Sequence, residues 1–368
     1  MQEALVVWQP PPARVPGACA RAALARACVC SLSATPTRGC VGRARLVTDC
    51  HAREAMNIAA AHVLDPHIDA VNTLDFSKDG ELMLTSGDDK RISLISPTSA
   101  TVMRVAQDNA HGVEHARFTH DPMSIVVASP SDHAIRYMSL HDNRYLRSFR
   151  GHKDRIVALE MSPKEDFFAS AALDGTARIW DLRQTNCQGT MNFAGDGRQQ
   201  EDKRAAVAFD PHGLVFVAAI GGSLVKLFDV RAYDKGPFFT FTPDLGQGTG
   251  FTGVKFSNDG KLMLLSTTRG DHALLDAFKG DLLRTFASEP SAESQHALEA
   301  CFSADSEFIL AGGTDGSIWR WATRSGQALP TMRQVHQAPV RAIRCNPTRM
   351  MVASACANGF ISLMLPAM

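Results

Sequence analysis

Four residues between positions 152 and 180 are of types that can either perform chemistry or hold a fold together. They are His152, Ser170, Asp174 and Trp180, within residues 151–183, GHKDRIVALEMSPKEDFFASAALDGTARIWDLR. A histidine, a serine and an aspartate are the parts of a nucleophilic triad, in which the imidazole takes the hydroxyl proton and the carboxylate orients the imidazole. No nucleophile-elbow or oxyanion-hole pattern accompanies them. The alternative is a hydrogen-bond relay: a buried imidazole and a buried indole N–H both need partners, and one hydroxyl with one carboxylate can supply them while pinning strands in register. The relay is the reading adopted, and no catalytic residue is assigned.

The elements that would position the relay are legible around it. An apolar run from Ile156 to Met161 ends at Ser162-Pro163, and a second from Phe167 to Leu173 ends at Asp174-Gly175. The Asp-Gly pair suits a tight hairpin because glycine accepts positive φ without steric cost. A third run, Thr176 to Trp180, follows at once. Three short strands framed by Gly-His and Trp-Asp are the signature of one blade of a WD-repeat β-propeller.

Weaker copies fill most of the chain. Apolar or small landmarks ending each first strand fall at Phe76, Phe118, Met161, Phe209, Phe256, Phe302 and Cys345, between 42 and 48 residues apart, close to the period of this repeat class. Turn-forming sets such as Ser77-Lys78-Asp79-Gly80 and Ser257-Asn258-Asp259-Gly260 follow the landmarks. Runs such as LVFVAAI and LMLLS are nearly continuous rather than alternating, which suits sheets covered on both faces. The expected fold is all-β, a seven-bladed WD-repeat β-propeller over residues 56–368. The seventh repeat lacks one strand, and the segment near 58–64 is expected to supply it.

Residues 1–55 differ, and the expectation is a disordered N-terminal extension. The first fifty residues hold six arginines, no lysine, two acids and five of the nine cysteines. Arg-rich, acid-poor, Ser-bearing composition also resembles an organelle transit peptide, which would make the protein an organelle scaffold. The formal net charge of the chain is zero, giving no prior for nucleic acid or an anionic membrane. No apolar run reaches about 18 residues, the length that would read as a spanning helix. The sequence contains no C-x-x-C, H-E-x-x-H or G-x-x-x-x-G-K-[ST] string, so no metal and no cofactor is assigned. Cys187, Cys301, Cys345 and Cys356 read as reduced, mostly buried thiols. Gly246-Gln247-Gly248-Thr249-Gly250 leads into a strand-like run, whereas a dinucleotide loop opens a helix, so it reads as an inter-blade loop.

Basic residues cluster at the blade entrances. Lys153 and Arg155 precede the first strand of blade three, Arg204 that of blade four, and His336 and Arg341 flank that of blade seven. If those entrances converge on one rim around the central channel, the rim can take an acidic or phosphorylated peptide through charge-assisted bonds. The alternative is an ordinary solvated surface.

Several strings exceed what the repeat demands: IRYMSLHDNRYLRSFRGHKDRIVALEMSP (135–163), WDLRQTNCQG (180–189), VKLFDVRAYDKGPF (225–238), TGVKFSNDGKLMLLS (252–266) and LDAFKG (275–280). Together they resemble the small WD-repeat subunit of COMPASS-type histone lysine methyltransferase complexes, a subunit also found in nuclear phosphatase and pre-mRNA 3′-end processing assemblies. The likeness runs from about residue 57 to the C-terminus; residues 1–50, 195–203 and 288–295 depart from it. The resemblance implies a non-catalytic nuclear adaptor that holds a SET-domain methyltransferase near transcribing RNA polymerase II and recognises the polymerase's phosphorylated tail. It equally implies an adaptor that meets a nuclear phosphatase targeting subunit or the cleavage, polyadenylation and termination machinery. A propeller enzyme is the reading of another class, and no clustered carboxylates or metal ligands support it.

Overall fold

The computed structural model describes residues 7–9, 58–193, 204–221, 224–246, 249–288 and 298–366. Among them the chain forms seven antiparallel sheets of four strands, contiguous in sequence except in blade seven, with a short fifth strand added at the outer edge of blade one. In blade three the strands are Ile156–Met161, Phe167–Ala172, Thr176–Asp181 and Cys187–Asn192, ordered outward from the channel. The first three coincide with the three apolar runs. Between the second and third, Gly175 turns with φ +76°, a conformation that costs an L side chain about 1–2 kcal/mol.

Both faces of each sheet are covered. The second strands of blades one, two, six and seven (Met83–Gly87, Ser124–Ala128, Phe308–Gly312 and Val352–Cys356) are buried at every residue. The hydrophobic core is seven clusters, and each joins two neighbouring blades. Ala169, Ile179, Phe209 and Phe216, for instance, knit blade three to blade four, and Leu74, Met83, Ala353 and Leu363 knit blade seven to blade one. The near-continuous apolar runs are therefore what a two-faced sheet requires.

The outer strands escaped the sequence reading, which found three strands per repeat. Leu282–Ala287 is the fourth strand of blade five and is exposed except at Phe286. An outermost strand has one neighbour in its sheet and no continuous apolar run, so periodicity does not reveal it.

Blade seven is built from both ends of the ring. Val340–Cys345, Val352–Cys356 and Ile361–Pro366 are paired on the outside by Ile58–Leu64, with Ile58 opposite Pro366 and Leu64 opposite Ile361. A bulge falls between Ala60 and His62. Residues 1–55 lie outside the described residues except Val7–Gln9, which pair with the outer strand of blade one, Thr101–Gln107. They add to the outer backbone edge that the blade presents there. The inserts 195–203 and 289–295 lie outside the described residues.

Because Ile58–Leu64 closes the ring, two truncated chains should behave differently. Removing residues 1–55 is expected to leave the melting temperature within a few degrees of the full chain. Removing 1–66 strips the cover from Leu363 and Met364, both fully buried, and is expected to lower it by roughly 10 °C, since several kcal/mol of burial is lost. Thermal unfolding of the two truncated chains checks this; equal melting temperatures would mean that Ile58–Leu64 does not hold the ring closed.

Candidate functional site

In blade three, the ring of His152 lies between the other members of the relay. Its Nε2 is 2.8 Å from Ser170 Oγ and its Nδ1 is 3.2 Å from Asp174 Oδ2, while Trp180 Nε1 donates to the same Ser170 Oγ at 2.8 Å. One assignment satisfies every donor: Nδ1–H to Asp174, the Ser170 hydroxyl proton to Nε2, and the indole N–H to Ser170. Burial holds the imidazole pKa below its ordinary value against the pull of Asp174. Ser170 is 0% exposed, and its hydroxyl is taken up by the His152 ring and the Trp180 indole. Phe149 and Phe168 pack around the indole at 5.8 and 6.2 Å between ring centroids; truncating a Trp in such a setting costs about 3–5 kcal/mol.

Among the described residues two shortened versions are seen, and one of them the sequence reading passed over. His67 bonds Thr85 Oγ1 at 2.8 Å and Asp89 Oδ1 at 3.0 Å in blade one, where Ile95 stands in place of the Trp. The signal was present as Thr85 and Asp89, 18 and 22 residues after the histidine, the same spacing as in blade three. In blade seven His336 Nε2 bonds Ser354 Oγ at 2.7 Å. Its ring is buried, with a pKa pushed down by burial to about 4, so His336 belongs to the scaffold interior and not to a solvent-facing rim. Asp174 also accepts the main-chain N–H of Lys153 at 3.0 Å and the N–H of Thr176 at 2.9 Å. The relay therefore fixes the loop that carries the basic entrance residues of blade three.

The structure brings three of the five candidate rim residues together. Arg155, Arg204 and Arg341 line one cavity of about 310 Å³ at the entrance end of the channel, with Asn72, Glu114 and His115; Lys153 is exposed and lies outside that lining. These cations have partners. Arg155 Nε bonds Glu114 Oε1 at 2.5 Å, and this bond raises the guanidinium pKa. Arg341 Nη1 is 3.3 Å from Asp88 Oδ2.

Deeper in, the channel holds a girdle of charges that the sequence reading did not single out. The residue just before each landmark is Asp75, Arg117, Glu160, Ala208, Lys255, Cys301 and Arg344 in blades one to seven. Glu299, two positions earlier, supplies the charge that Cys301 lacks. Around the ring the signs alternate, with a gap at Ala208. Arg117 Nε reaches Glu160 at 3.2 Å, Lys255 Nζ reaches Glu299 at 3.1 Å, and Arg344 Nη2 lies 3.6 Å from each of the two carboxylates. Burial alone would raise the Glu160 pKa, but Lys255, Arg344 and Arg117 bring it down to about 2. At Asp75 burial wins over Arg117 and Arg344, and its pKa is raised. The signal that could have found the girdle was a charged residue recurring at the repeat period inside an apolar strand.

A mouth of paired arginines above a charge-compensated channel offers binding chemistry at its rim; the described residues include no group of three or more His, Cys, Asp and Glu able to hold a metal ion. Residues 60–96 and 143–181 match the family model described as WD domain, G-beta repeat. With the seven sheets and the relay, this defines the class: the protein is a WD-repeat β-propeller. Over 299 residues the chain is 40% identical to WD repeat-containing protein 82 of Drosophila melanogaster, spanning 81% of this chain and 92% of that relative. It belongs to the WD repeat-containing protein 82 family. It is also 34% identical over 251 residues to Set1 complex component swd2 of Schizosaccharomyces pombe (65% of this chain, 67% of the relative) and 28% identical over 298 residues to COMPASS component SWD2 of Saccharomyces cerevisiae (77% and 88%).

The buried imidazoles make stability depend on pH. Burial holds His272 and His336 at about 4, and burial with Arg117 and Arg155 holds His115 at about 3. Each folded pKa is below the unfolded value of about 6.5, so the unfolded chain binds more protons and stability falls as pH falls. The contribution is complete above about pH 6.5 and drains away toward pH 4; Glu160 adds a further loss below about 4.5, its unfolded range. Melting temperature at fixed ionic strength is expected to decline steadily from pH 7 to pH 4.5. A flat profile across that window would mean that these rings carry protons in the folded state.

Proposed function

We propose that this protein is a non-catalytic scaffold subunit of a COMPASS-like histone methyltransferase complex that links chromatin modification to transcribing RNA polymerase II in the nucleus. The observation that carries the proposal is a likeness to relatives named as Set1 and COMPASS components that runs along most of the propeller. The geometry supports a binding role: the Ser170 hydroxyl is sealed in the relay, while the channel mouth presents cations to solvent. The partners are then protein surfaces, with SET-domain methyltransferase subunits foremost and neither nucleic acid nor membrane engaged directly. Among the described residues no helix is long and apolar enough to cross a membrane.

Affinity purification of the tagged full chain from nuclear extract, read by mass spectrometry, tests the assignment. A SET-domain methyltransferase is expected among the enriched partners. Recovery of a phosphatase with its nuclear targeting subunit, or of cleavage and termination factors, without any methyltransferase would move the protein to those assemblies and sink the proposal.

The rim refines it. Arg155, Arg204 and Arg341, with Lys153 beside them, form the surface proposed for a phosphorylated polymerase-tail peptide. Binding there exchanges the Glu114 and Asp88 carboxylates for phosphate oxygens. A phosphate brings roughly −1.5 to −2 charge and three acceptors, more than either carboxylate can offer. A doubly phosphorylated peptide is expected to bind roughly tenfold or more tightly than the unphosphorylated one, the scale of one charge-assisted bond. The preference should shrink as salt screens the rim, where the Debye length is about 8 Å at physiological ionic strength. Arg155→Gln, which removes the charge but keeps an N–H donor for the largely buried Glu114, should erase most of the preference while lowering the melting temperature by no more than a few degrees. Calorimetric titration at two salt concentrations checks both points; equal and salt-insensitive affinities would return the rim to ordinary surface and leave the scaffold assignment standing.

A further inference from the structure

The inner strands of blades six and seven, Ala300–Phe302 and Val340–Cys345, bring two cysteines face to face. Cys301 Sγ and Cys345 Sγ are 3.7 Å apart, though 44 residues separate them in the chain. Both are free thiols. They line a cavity of about 300 Å³ at the end of the channel opposite the arginine mouth, together with Met161, Phe209, Phe302 and Arg344. Cys301 itself is 5% exposed, so this cavity is its way to small solutes.

We propose that Cys301 and Cys345 form a peroxide-sensitive dithiol whose disulfide covalently joins blade six to blade seven. Two features support it. First, the two sulfurs are within hydrogen-bond reach of each other, and closing to a disulfide of about 2.05 Å asks for an approach of roughly 1.6 Å. Second, Arg344, next to Cys345 in the chain, lines the same cavity as both thiols, and a cation near a thiol pair favours the thiolate that attacks an oxidant.

The chemistry balances with hydrogen peroxide as oxidant. The thiolate of one cysteine attacks one peroxide oxygen; the S–O bond forms, the O–O bond breaks, and the departing hydroxide is protonated to water. The sulfur of the other cysteine then attacks the resulting sulfenic acid; the S–S bond forms, the S–O bond breaks, and its thiol proton leaves with the hydroxyl as a second water. Two thiols are oxidised by two electrons, and one peroxide is reduced to two waters. A thiol reductant reverses the bond.

The test uses the folded full chain treated with hydrogen peroxide at neutral pH and digested without reduction. A linked peptide joining Cys301 to Cys345 is expected, lost on adding dithiothreitol, and formed at least about tenfold faster than oxidation of Cys187 or Cys356, which have no thiol partner among the described residues. Cys345→Ser and Cys301→Ser should each leave a sulfenic acid on the remaining cysteine that a 1,3-dione labels, because no second thiol is left to resolve it. Oxidation of the wild-type chain with no 301–345 link above the background of other pairings overturns the proposal, and this arm needs no variant to fold.

Discussion

A sheet buried on both faces has no stability of its own, and the whole architecture depends on that constraint. Each blade supplies one half of two hydrophobic clusters, so every cluster exists only while two neighbours are in place. In a line of such sheets the terminal ones would each expose an apolar face. Curving the line into a ring removes both ends at once, and pairing Ile58–Leu64 with Ile361–Pro366 turns the last contact into a main-chain ladder. Cooperativity follows, because loosening that ladder uncovers side chains belonging to blades seven and one together.

Closing the ring has an electrostatic consequence at its axis. Seven first strands converge there, and a residue at the same register in each faces the same small volume. Seven apolar groups would leave a dry pore, and like charges would repel at short range with little water between them. The alternation of Asp75, Arg117, Glu160, Lys255, Glu299 and Arg344 lets each cation sit between carboxylates. Such buried networks add little net stability over an apolar filling, so their value lies in fixing which blade meets which. Blade four has Ala208 and no charge at this register, and in blade six Cys301 puts a sulfur there while Glu299, two residues earlier, carries the charge.

Much of the scaffold was legible in the sequence because the features that specify it are local. The Asp174-Gly175 turn, the runs flanking it and the landmarks at the repeat period lie within a few residues of what they control. The relay was readable for the same reason, since His152, Ser170, Asp174 and Trp180 come from a single repeat. Outer strands were not readable, because Leu282–Ala287 meets solvent along most of its length and carries no period. His336 was misplaced on the rim since its position near a blade entrance says nothing about which way the ring turns; its bond to Ser354 settles that only in three dimensions. The girdle and the thiol pair depend on contacts between repeats more than forty residues apart, and a reading that takes one repeat at a time discards them.

Relay and rim are parts of one device in blade three. Asp174 gives one oxygen to Thr176 and the other to His152 and the Lys153 N–H, so the carboxylate that orients the buried histidine also sets the backbone of the basic loop. Glu114, largely buried at the entrance of blade two, then fixes the Arg155 head group across the blade boundary. An arginine held at both its backbone and its guanidinium loses less conformational entropy on meeting an anion than one on a mobile loop, because much of that ordering is already done on folding. Its carboxylate partner must still be exchanged for the incoming oxygens. In the proposed phosphopeptide complex those opposing terms would set the selectivity: a weak acceptor gains nothing over Glu114, and only a group of higher charge shifts the balance.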